Sequence, residues 1–141
     1  GRSGSAPPPV SPPSPSVPPG TLVLSFRYAF AGLSYVARTQ RNFRIHLALG
    51  GLSALLALLL GFSPVEWAVL AGIITLVLLG EMLNTVVEAA VDLASPGYHP
   101  LAKVAKDVAA GAVLLTAIGA VVGGAFLFLP HLVHWWAAFG G

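Results

Sequence analysis

The stretch EMLNTVVEAAVDL, residues 81–93, gathers four polar side chains in a chain that is 56% hydrophobic and only 9% charged. They are Glu81, Asn84, Glu88 and Asp92. On a helix that turns by about 100° per residue, Glu81, Glu88 and Asp92 fall within roughly 40° of one another, and Asn84 lies roughly 60° from Glu81. The spacing therefore predicts one polar helix face. Because like charges on adjacent turns repel, we expect a cation or basic side chains against this face.

Basic residues follow on the next predicted helix. Lys103, Lys106 and Asp107 stand at positions i, i+3 and i+4, at a similar depth. Carboxylate and amide oxygens suit Mg²⁺, which proteins typically hold with one or two carboxylates and substrate phosphates. A metal, cations to offset phosphate charge and a carboxylate to accept a hydroxyl proton are the groups that phosphoryl transfer needs. The chain has no G-x-x-x-x-G-K-[ST] motif, so a nucleotide site must be built without a P-loop.

Two other interpretations of the acidic face stay open at this point. In the first, Glu88 or Asp92 pairs with Lys103 or Lys106 and only stabilises a hairpin of two helices. In the second, the acids mark a pathway for cations, because ionisable residues in membrane helices also line ion routes. Spacing alone does not separate these interpretations from a metal or phosphate site.

The remaining polar residues and glycines have simpler predicted roles. We expect Glu66 to be a solvated charge in a turn, and His46 to be a snorkelling or helix-start residue at the head of the first span. His131 and His134 are predicted to face the membrane interface, because no third metal ligand stands near them. The glycines of GAVVGG, residues 119–124, are expected to allow close packing of helices.

The composition indicates a small integral membrane protein. With 141 residues the chain has room for one domain, and a mean hydropathy of +0.84 with long uncharged runs excludes the soluble globular class. Cysteine is absent from the sequence, which excludes disulfides, thiolate metal sites and a cysteine nucleophile. The net charge of +2 is modest, and no nucleic-acid partner is predicted.

Four helical segments are predicted after a proline-rich opening. Residues 1–20 contain eight prolines between Pro7 and Pro19, so this segment is predicted to be disordered. Residues 21–44 predict an amphipathic helix on the membrane surface. Three spans are predicted at about residues 45–62, 66–94 and 101–129. At about 1.5 Å per residue the second span is roughly 45 Å long, which exceeds the roughly 30 Å hydrocarbon layer, so its acidic face should lie at the membrane surface.

The basic residues predict the topology. All seven lie before the first span or between the second and third: Arg2, Arg27, Arg38, Arg41, Arg44, Lys103 and Lys106. The positive-inside rule therefore places the N-terminus and the acidic loop in the cytoplasm. Trp135 and Trp136 in the tail would anchor the chain at the opposite interface.

Two segments strongly resemble the prokaryotic diacylglycerol kinase family, which includes the undecaprenol kinases of Gram-positive type. They are EMLNTVVEAAVDLASPGYHPLAKVAKDVAAGAVL, residues 81–114, and RNFRIH, residues 41–46. The resemblance covers roughly residues 22–129 and rests mainly on the long pattern E-x-x-N-T-x-x-E-x-x-x-D followed by HPLAKVAKD. It implies an all-α membrane protein of the bacterial cytoplasmic membrane, with an N-terminal surface helix and three transmembrane helices. It also implies a homotrimer whose active sites form between subunits and use Mg·ATP to phosphorylate a lipid alcohol.

The resemblance also implies roles for individual residues. Glu81 would be the general base and Glu88 a metal ligand, with Asn84 and Asp92 supporting the site. Gln40 stands where the family carries a second metal-binding glutamate, and its oxygen can coordinate a metal but brings no charge. The residues with implied nucleotide contacts are Tyr28, Gly97, Tyr98, His99, Lys106 and Asp107.

These implications make residues 21–141 a membrane lipid kinase domain with Mg²⁺ as cofactor and ATP as co-substrate. The likeness of RNFRIH and YHPLAKVAKDVAAGAV to the Gram-positive type favours undecaprenol as the acceptor, with diacylglycerol as the close alternative. A second hypothesis is a non-catalytic membrane protein whose acidic cytoplasmic face binds cations or a partner. Gln40 is the residue that favours this second hypothesis.

Overall fold

The computed structural model describes residues 20–140, and this part of the chain is built from α-helices without a β-strand. Helix α1 spans Leu22–Thr39, α2 spans Arg41–Leu60, α3 spans Pro64–Ala94 and α4 spans Pro100–Gly140. The segment predicted to be disordered, which includes Arg2, lies outside the described residues except for Gly20.

A sharp break at Gln40 separates α1 from α2. Gln40 has an extended backbone (φ −107°, ψ 108°) and is both the C-cap of α1 and the N-cap of α2. The guanidinium of Arg44 donates hydrogen bonds to the carbonyls of Ala37 (3.2 Å) and Arg38 (2.8 Å), which the end of α1 would otherwise leave free. The surface helix therefore ends at Thr39 and not near Arg44 as predicted, and Arg44 belongs to the first spanning helix.

Local sequence signals close the turn between α2 and α3. Gly61 adopts the left-handed conformation (φ 73°) that glycine tolerates, and it ends α2. The Ser63 hydroxyl accepts a hydrogen bond from the backbone of Glu66, and the Glu66 carboxylate accepts one from the backbone of Ser63. This capping box and Pro64 in the first turn favour a helix start. Helix α3 therefore begins slightly before the predicted boundary.

Glu66 is not the solvated turn charge that the sequence predicts. Its Oε2 lies 2.5 Å from Nε2 of His131, and both side chains are partly buried. The ring of His131 stacks on Phe62 with 4.9 Å between centroids. His131 therefore packs against neighbouring helices, while its expected position at the membrane interface stays a prediction. The prediction for Glu66 was wrong because Glu66 and His131 are 65 positions apart, and only tertiary packing brings them together.

Helix α4 continues through Pro130, whereas the predicted third span ends at residue 129. A proline removes one backbone donor, a loss that membrane helices tolerate. The contacts of His131 with Glu66 and Phe62 hold the next turn of α4 against the start of α3. The tail is therefore helical, and Trp136 within it is exposed.

Helix α3 lies along α4 and also packs against α2. The buried core between these helices is small and consists of Ala57, Phe62 and Leu70, with Trp67 and Phe128 packed against it. Most other large apolar side chains point outward. That arrangement is stable where lipid or another apolar helix replaces water around the chain.

The glycine segment of α4 allows one close approach between helices. A Cβ atom at Gly123 would lie 2.8 Å from Cδ1 of Ile73 on α3, while Gly119 and Gly124 have nothing within 4 Å. An alanine at Gly123 would make this Cδ1 atom move, and the adjustment is small because the atom ends a flexible side chain. The close packing expected of this segment therefore occurs at one of its three glycines.

Within residues 20–140, three helices are long and apolar enough to cross a membrane. They are α2, α3 and α4, and the predicted spans at about residues 45–62, 66–94 and 101–129 lie within or close to these helices. The predicted class of all-α membrane protein is confirmed. The homotrimer stays a prediction.

Candidate functional site

The predicted acidic face runs along the last part of α3. Glu81 is only 4% exposed and is the one buried charged residue between residues 20 and 140. Asn84 is half-buried, while Glu88 and Asp92 are exposed. At about 1.5 Å per residue, Glu81 and Asp92 are roughly 16 Å apart along the helix. The face therefore leads from one buried carboxylate to two exposed ones.

His46 on α2 contacts the buried carboxylate. Its Nε2 atom lies 3.3 Å from Oε1 of Glu81. Oε1 has no hydrogen-bond partner among the described residues, so the contact is close but not aligned as a hydrogen bond. The sequence predicts a snorkelling or helix-start role for His46 and not this contact, because spacing along one helix cannot show which residue of another helix lies opposite.

Asn84 and Glu88 form the next part of the site. The Asn84 side-chain amide donates a hydrogen bond to Oε1 of Glu88 at 3.2 Å. This leaves the Asn84 carbonyl oxygen buried and without a partner in the described part of the chain. A buried carbonyl oxygen beside a carboxylate offers the hard oxygen donors that suit Mg²⁺.

The donor set fits a magnesium ion that is shared with a ligand. Within residues 20–140, no group of three or more His, Cys, Asp or Glu side chains could hold a metal by itself. Mg²⁺ commonly binds through one or two carboxylates and takes its other ligands from waters and substrate phosphates. Glu88 and Asn84 therefore suit a site that a nucleotide completes.

A polar cleft of about 400 Å³ opens beside Asp92, at the loop between α3 and α4. Lys106 Nζ donates to Oδ1 of Asp92 at 2.5 Å and ties α4 to α3. Lys103 Nζ pairs with Asp107 at 2.5 Å within α4. The cleft is lined by these four residues and by loop residues that include Ser95, Gly97, Tyr98 and His99. Most of the residues with implied nucleotide contacts thus lie in one cleft: Gly97, Tyr98, His99, Lys106 and Asp107.

Side-chain hydrogen bonds shape the loop that borders this cleft. Nδ1 of His99 accepts a hydrogen bond from the backbone N–H of Leu101 at 3.1 Å, one of the free donors in the first turn of α4. The neutral ring then carries its proton on Nε2, which is free to donate to a ligand. The Ser95 hydroxyl donates to the carbonyl of Gly97 at 3.1 Å. These contacts hold the loop backbone around the cleft.

Simple ion pairing accounts for only part of the acidic face. Asp92 does pair with Lys106, as the hairpin interpretation requires. Glu88 has no lysine partner among the described residues and instead accepts from Asn84. Glu81, deeper in the bundle, contacts His46. Pairing with the lysines of α4 therefore leaves Glu81 and Glu88 unexplained.

Tyr28 and Gln40, two of the predicted site residues, do not line the cleft of their own chain. Tyr28 lies on α1 and is 70% exposed, and the described residues of α1 do not line the cleft. The side-chain amide of Gln40 donates to the hydroxyl of its neighbour Thr39 at 3.4 Å. No described hydrogen bond joins Gln40 to Glu88.

An apolar groove of about 520 Å³ runs between α3 and α4. Its wall includes Leu76, Leu79, Leu83 and Val108, and its one strongly polar side chain is Asn84. A hydrocarbon chain could bury its surface in this groove while a polar end met the amide. The groove therefore joins the acidic face to a surface suited to lipid.

The chain is similar in sequence to known proteins over the segments that form the acidic face and the cleft. Residues 27–128 match the sequence model of the family described as prokaryotic diacylglycerol kinase. The chain is similar to a diacylglycerol kinase of Synechocystis sp., with 53% identity over 113 residues, which are 79% of this chain and 65% of that protein. It is similar to an undecaprenol kinase of Bacillus subtilis, with 41% identity over 108 residues, 77% of this chain and 88% of that protein. It is also similar to a diacylglycerol kinase of Escherichia coli K12, with 31% identity over 110 residues, 78% of this chain and 90% of that protein.

The family match includes the whole acidic face and the whole cleft, since both lie between residues 27 and 128. The chain spans just under two thirds of the Synechocystis protein and most of the Bacillus and Escherichia proteins. On this evidence the chain belongs to the prokaryotic diacylglycerol kinase family.

Proposed function

We propose that the chain is a lipid kinase of the bacterial cytoplasmic membrane, which transfers the γ-phosphoryl group of Mg·ATP to the hydroxyl of a membrane lipid alcohol. The observation that carries the proposal is the buried carboxylate of Glu81 on the same helix face as Glu88 and Asp92. Along about 16 Å of α3, the proposed base is followed by oxygen donors that suit a metal and then by the cleft, to which α4 contributes two lysines.

Glu81 is the general base in this proposal. The oxygen of the lipid hydroxyl attacks the γ-phosphorus, the bond from that phosphorus to the β,γ-bridging oxygen breaks, and ADP leaves. The hydroxyl proton passes to the carboxylate of Glu81. Burial supports this role, because a base kept from bulk water exchanges its proton with the bound alcohol and not with solvent.

Glu88 and Asn84 are proposed to hold Mg²⁺ together with the nucleotide. When bound, the metal would offset charge on the β- and γ-phosphates. Asn84 supports the ligand by donating to Glu88, and its own carbonyl oxygen is free to coordinate. Gln40 would add a neutral oxygen, so the site would carry one negative charge fewer than a site with two glutamates.

The cleft between α3 and α4 is proposed to bind the nucleotide. Lys106, aligned by Asp92, supplies a cation for the phosphates. Gly97 has no side chain to keep a ligand from the loop backbone, and Nε2 of His99 can donate to a phosphate oxygen. Tyr98 is exposed at the same loop and offers a ring against which a base can stack.

Tyr28 and Gln40 are proposed to reach the site from a neighbouring subunit of a homotrimer. Helix α1 does not line the cleft of its own chain in the described structure. The outward apolar side chains of α2, α3 and α4 leave ample surface for contacts between subunits. The N-terminus and the cleft are proposed to face the cytoplasm, because the basic residues lie at that end of the bundle.

Undecaprenol is the favoured acceptor, with diacylglycerol as the close alternative. The motifs RNFRIH and HPLAKVAKDVAAGAV support undecaprenol, and so does the similarity to the Bacillus undecaprenol kinase. The similarity to the Synechocystis diacylglycerol kinase supports the alternative. Both acceptors present a hydroxyl at the interface and apolar chains that suit the groove beside Asn84.

The test is transfer of labelled phosphate from Mg·ATP to lipid by the protein in nanodiscs, with undecaprenol and diacylglycerol offered in parallel. Glu81→Ala should lower the rate by about 10²-fold to 10⁴-fold, the range typical of a lost general base. Glu66→Gln is the matched control, because it alters a carboxylate at the opposite end of α3. It should leave the rate near that of the wild type.

One outcome would reject the proposed kinase, and another would reject the proposed role of Glu81. Folded wild-type protein that transfers phosphate to neither lipid would favour the non-catalytic alternative, for which Gln40 is the supporting residue. An active protein that tolerates Glu81→Ala would show that another group is the base. Nucleotide binding without turnover, measured by calorimetry, would support the alternative directly.

A further inference from the structure

The contact between His46 and Glu81 joins two helices inside the bundle. His46 lies in the second turn of α2 and Glu81 lies in the second half of α3. The Nε2 and Oε1 atoms are 3.3 Å apart, and the side chains are 24% and 5% exposed. A carboxylate buried to this degree is costly unless a donor or a positive charge faces it. His46 is placed to be that group.

The other polar groups near Glu81 are engaged elsewhere. The Thr85 hydroxyl donates to the backbone carbonyl of Glu81 at 2.9 Å and not to its carboxylate. The Asn84 amide donates to Glu88. Among the described residues, His46 is the side chain that meets the carboxylate of Glu81. The orientation of this carboxylate therefore depends on α2.

We propose that His46 is a positioning residue for Glu81, and this inference rests on the proposed function. The Nε2 atom of His46 holds Oε1 of Glu81 toward α2, which leaves Oε2 to face the lipid hydroxyl. The 3.3 Å contact shortens into an aligned hydrogen bond when substrates fill the site, as catalytic hydrogen bonds often do. An N–H at Nε2 of the imidazole supplies the donor that the buried Oε1 atom of Glu81 lacks.

The surroundings of His46 allow this idea to be tested by substitution. His46 lines a small cavity of about 110 Å³ with Gly50, Ser53 and Ile74, and α2, α3 and α4 all contribute to the wall of this cavity. A smaller side chain there enlarges an existing cavity and does not displace a packed neighbour. Folded variants are therefore expected.

Three substitutions separate the chemistry of His46 from its size. The side-chain nitrogen of glutamine reaches about as far as Nε2 of histidine, whereas that of asparagine stops near the place of Nδ1. His46→Gln should keep kcat within a few fold of the wild type. His46→Ala and His46→Asn should lower kcat by about tenfold to a hundredfold, the cost of a misplaced reacting group, with little change in KM for ATP.

A merely structural role would give a different pattern. In that case all three variants would lose kcat in proportion to their losses in melting temperature, and the inference would be overturned. Wild-type kcat in His46→Ala would overturn it as well. In a Glu81→Gln background, His46→Ala should have almost no further effect on the residual rate, because the residue acts through Glu81.

A spectroscopic readout tests the contact without relying on activity. The chain has four histidines, which ¹⁵N-histidine labelling makes visible by NMR. Glu81→Gln should shift the Nε2 resonance that disappears in His46→Ala. Glu66→Gln, the matched control, should shift the resonance that disappears in His131→Ala. An unmoved His46 resonance would overturn the inference, while an inactive wild type with a moved resonance would reject only the proposed lipid kinase.

Discussion

Nζ of Lys106 lies 2.5 Å from Oδ1 of Asp92, although the two residues are 14 positions apart. The contact joins the last turns of α3 to the second turn of α4 beside the cleft that is proposed to bind the nucleotide. The two side chains are 42% and 66% exposed, so solvent screens their attraction and the pair contributes little to the free energy of unfolding. The contact therefore matters mainly for where the Lys106 ammonium group points.

Lys106→Ala is expected to raise KM for ATP by about tenfold to a hundredfold, because it removes the charge-assisted hydrogen bond proposed between Lys106 and a nucleotide phosphate. The melting temperature should change little, since the pair is exposed. Lys103→Ala is the matched control, as Lys103 lines the same cleft but pairs within α4 to Asp107. Equal increases in KM for the two variants would show that Lys106 has no special contact with the nucleotide.

Gln40→Glu is expected to lower the Mg²⁺ concentration for half-maximal activity by roughly tenfold, because it adds a charged oxygen ligand. The measurement is a magnesium titration of phosphate transfer at fixed ATP. Gln40→Met, which has similar length but no coordinating oxygen, should raise the requirement. If neither substitution changes the Mg²⁺ concentration for half-maximal activity, Gln40 does not take part in holding the metal.

His131→Ala is expected to lower the melting temperature by several degrees while kcat stays near wild type. The substitution removes a stacked ring and the partner of Glu66, but this contact lies at the opposite end of α3 from the cleft. His134→Ala is the control, because His134 is exposed on the same helix and should leave both quantities unchanged. If His131→Ala lowered kcat at an unchanged melting temperature, the prediction that this contact is independent of the cleft at the other end of α3 would be wrong.

Gly123→Ala is expected to weaken the contact between α3 and α4 by only about 1 kcal/mol or less, because the atom that it meets ends a flexible side chain that can change rotamer. Its Cβ atom would lie 2.8 Å from Cδ1 of Ile73. Adding Ile73→Val, which removes that Cδ1 atom, should restore most of the stability. Gly124→Ala should be harmless, since nothing lies within 4 Å of a Cβ atom there. Melting temperatures of the four proteins in one detergent test the prediction, and a failure of the valine to rescue would refute the proposed clash.

The start of α3 shows which features local sequence determines. Ser63, Pro64 and Glu66 form a cap from neighbouring residues, and Gly61 supplies the conformation that ends α2. Such signals act within one helical turn, so they can be identified from the sequence. The same holds for the shared face of Glu81, Glu88 and Asp92, because the regular turn of a helix relates their positions. The break at Gln40 was missed, since no glycine or proline marks it and Arg44 stabilises it from the next helix.

By itself, the sequence determined the class of membrane protein, the order of the helices, the acidic face and the family pattern. The partners of individual charges were decided only by the tertiary structure. His46 meets Glu81, His131 meets Glu66, and Lys106 meets Asp92. Each of these pairs depends on the depth and the rotation of one helix against another. The packing of whole helix surfaces sets both quantities, and spacing along a single helix contains no information about them.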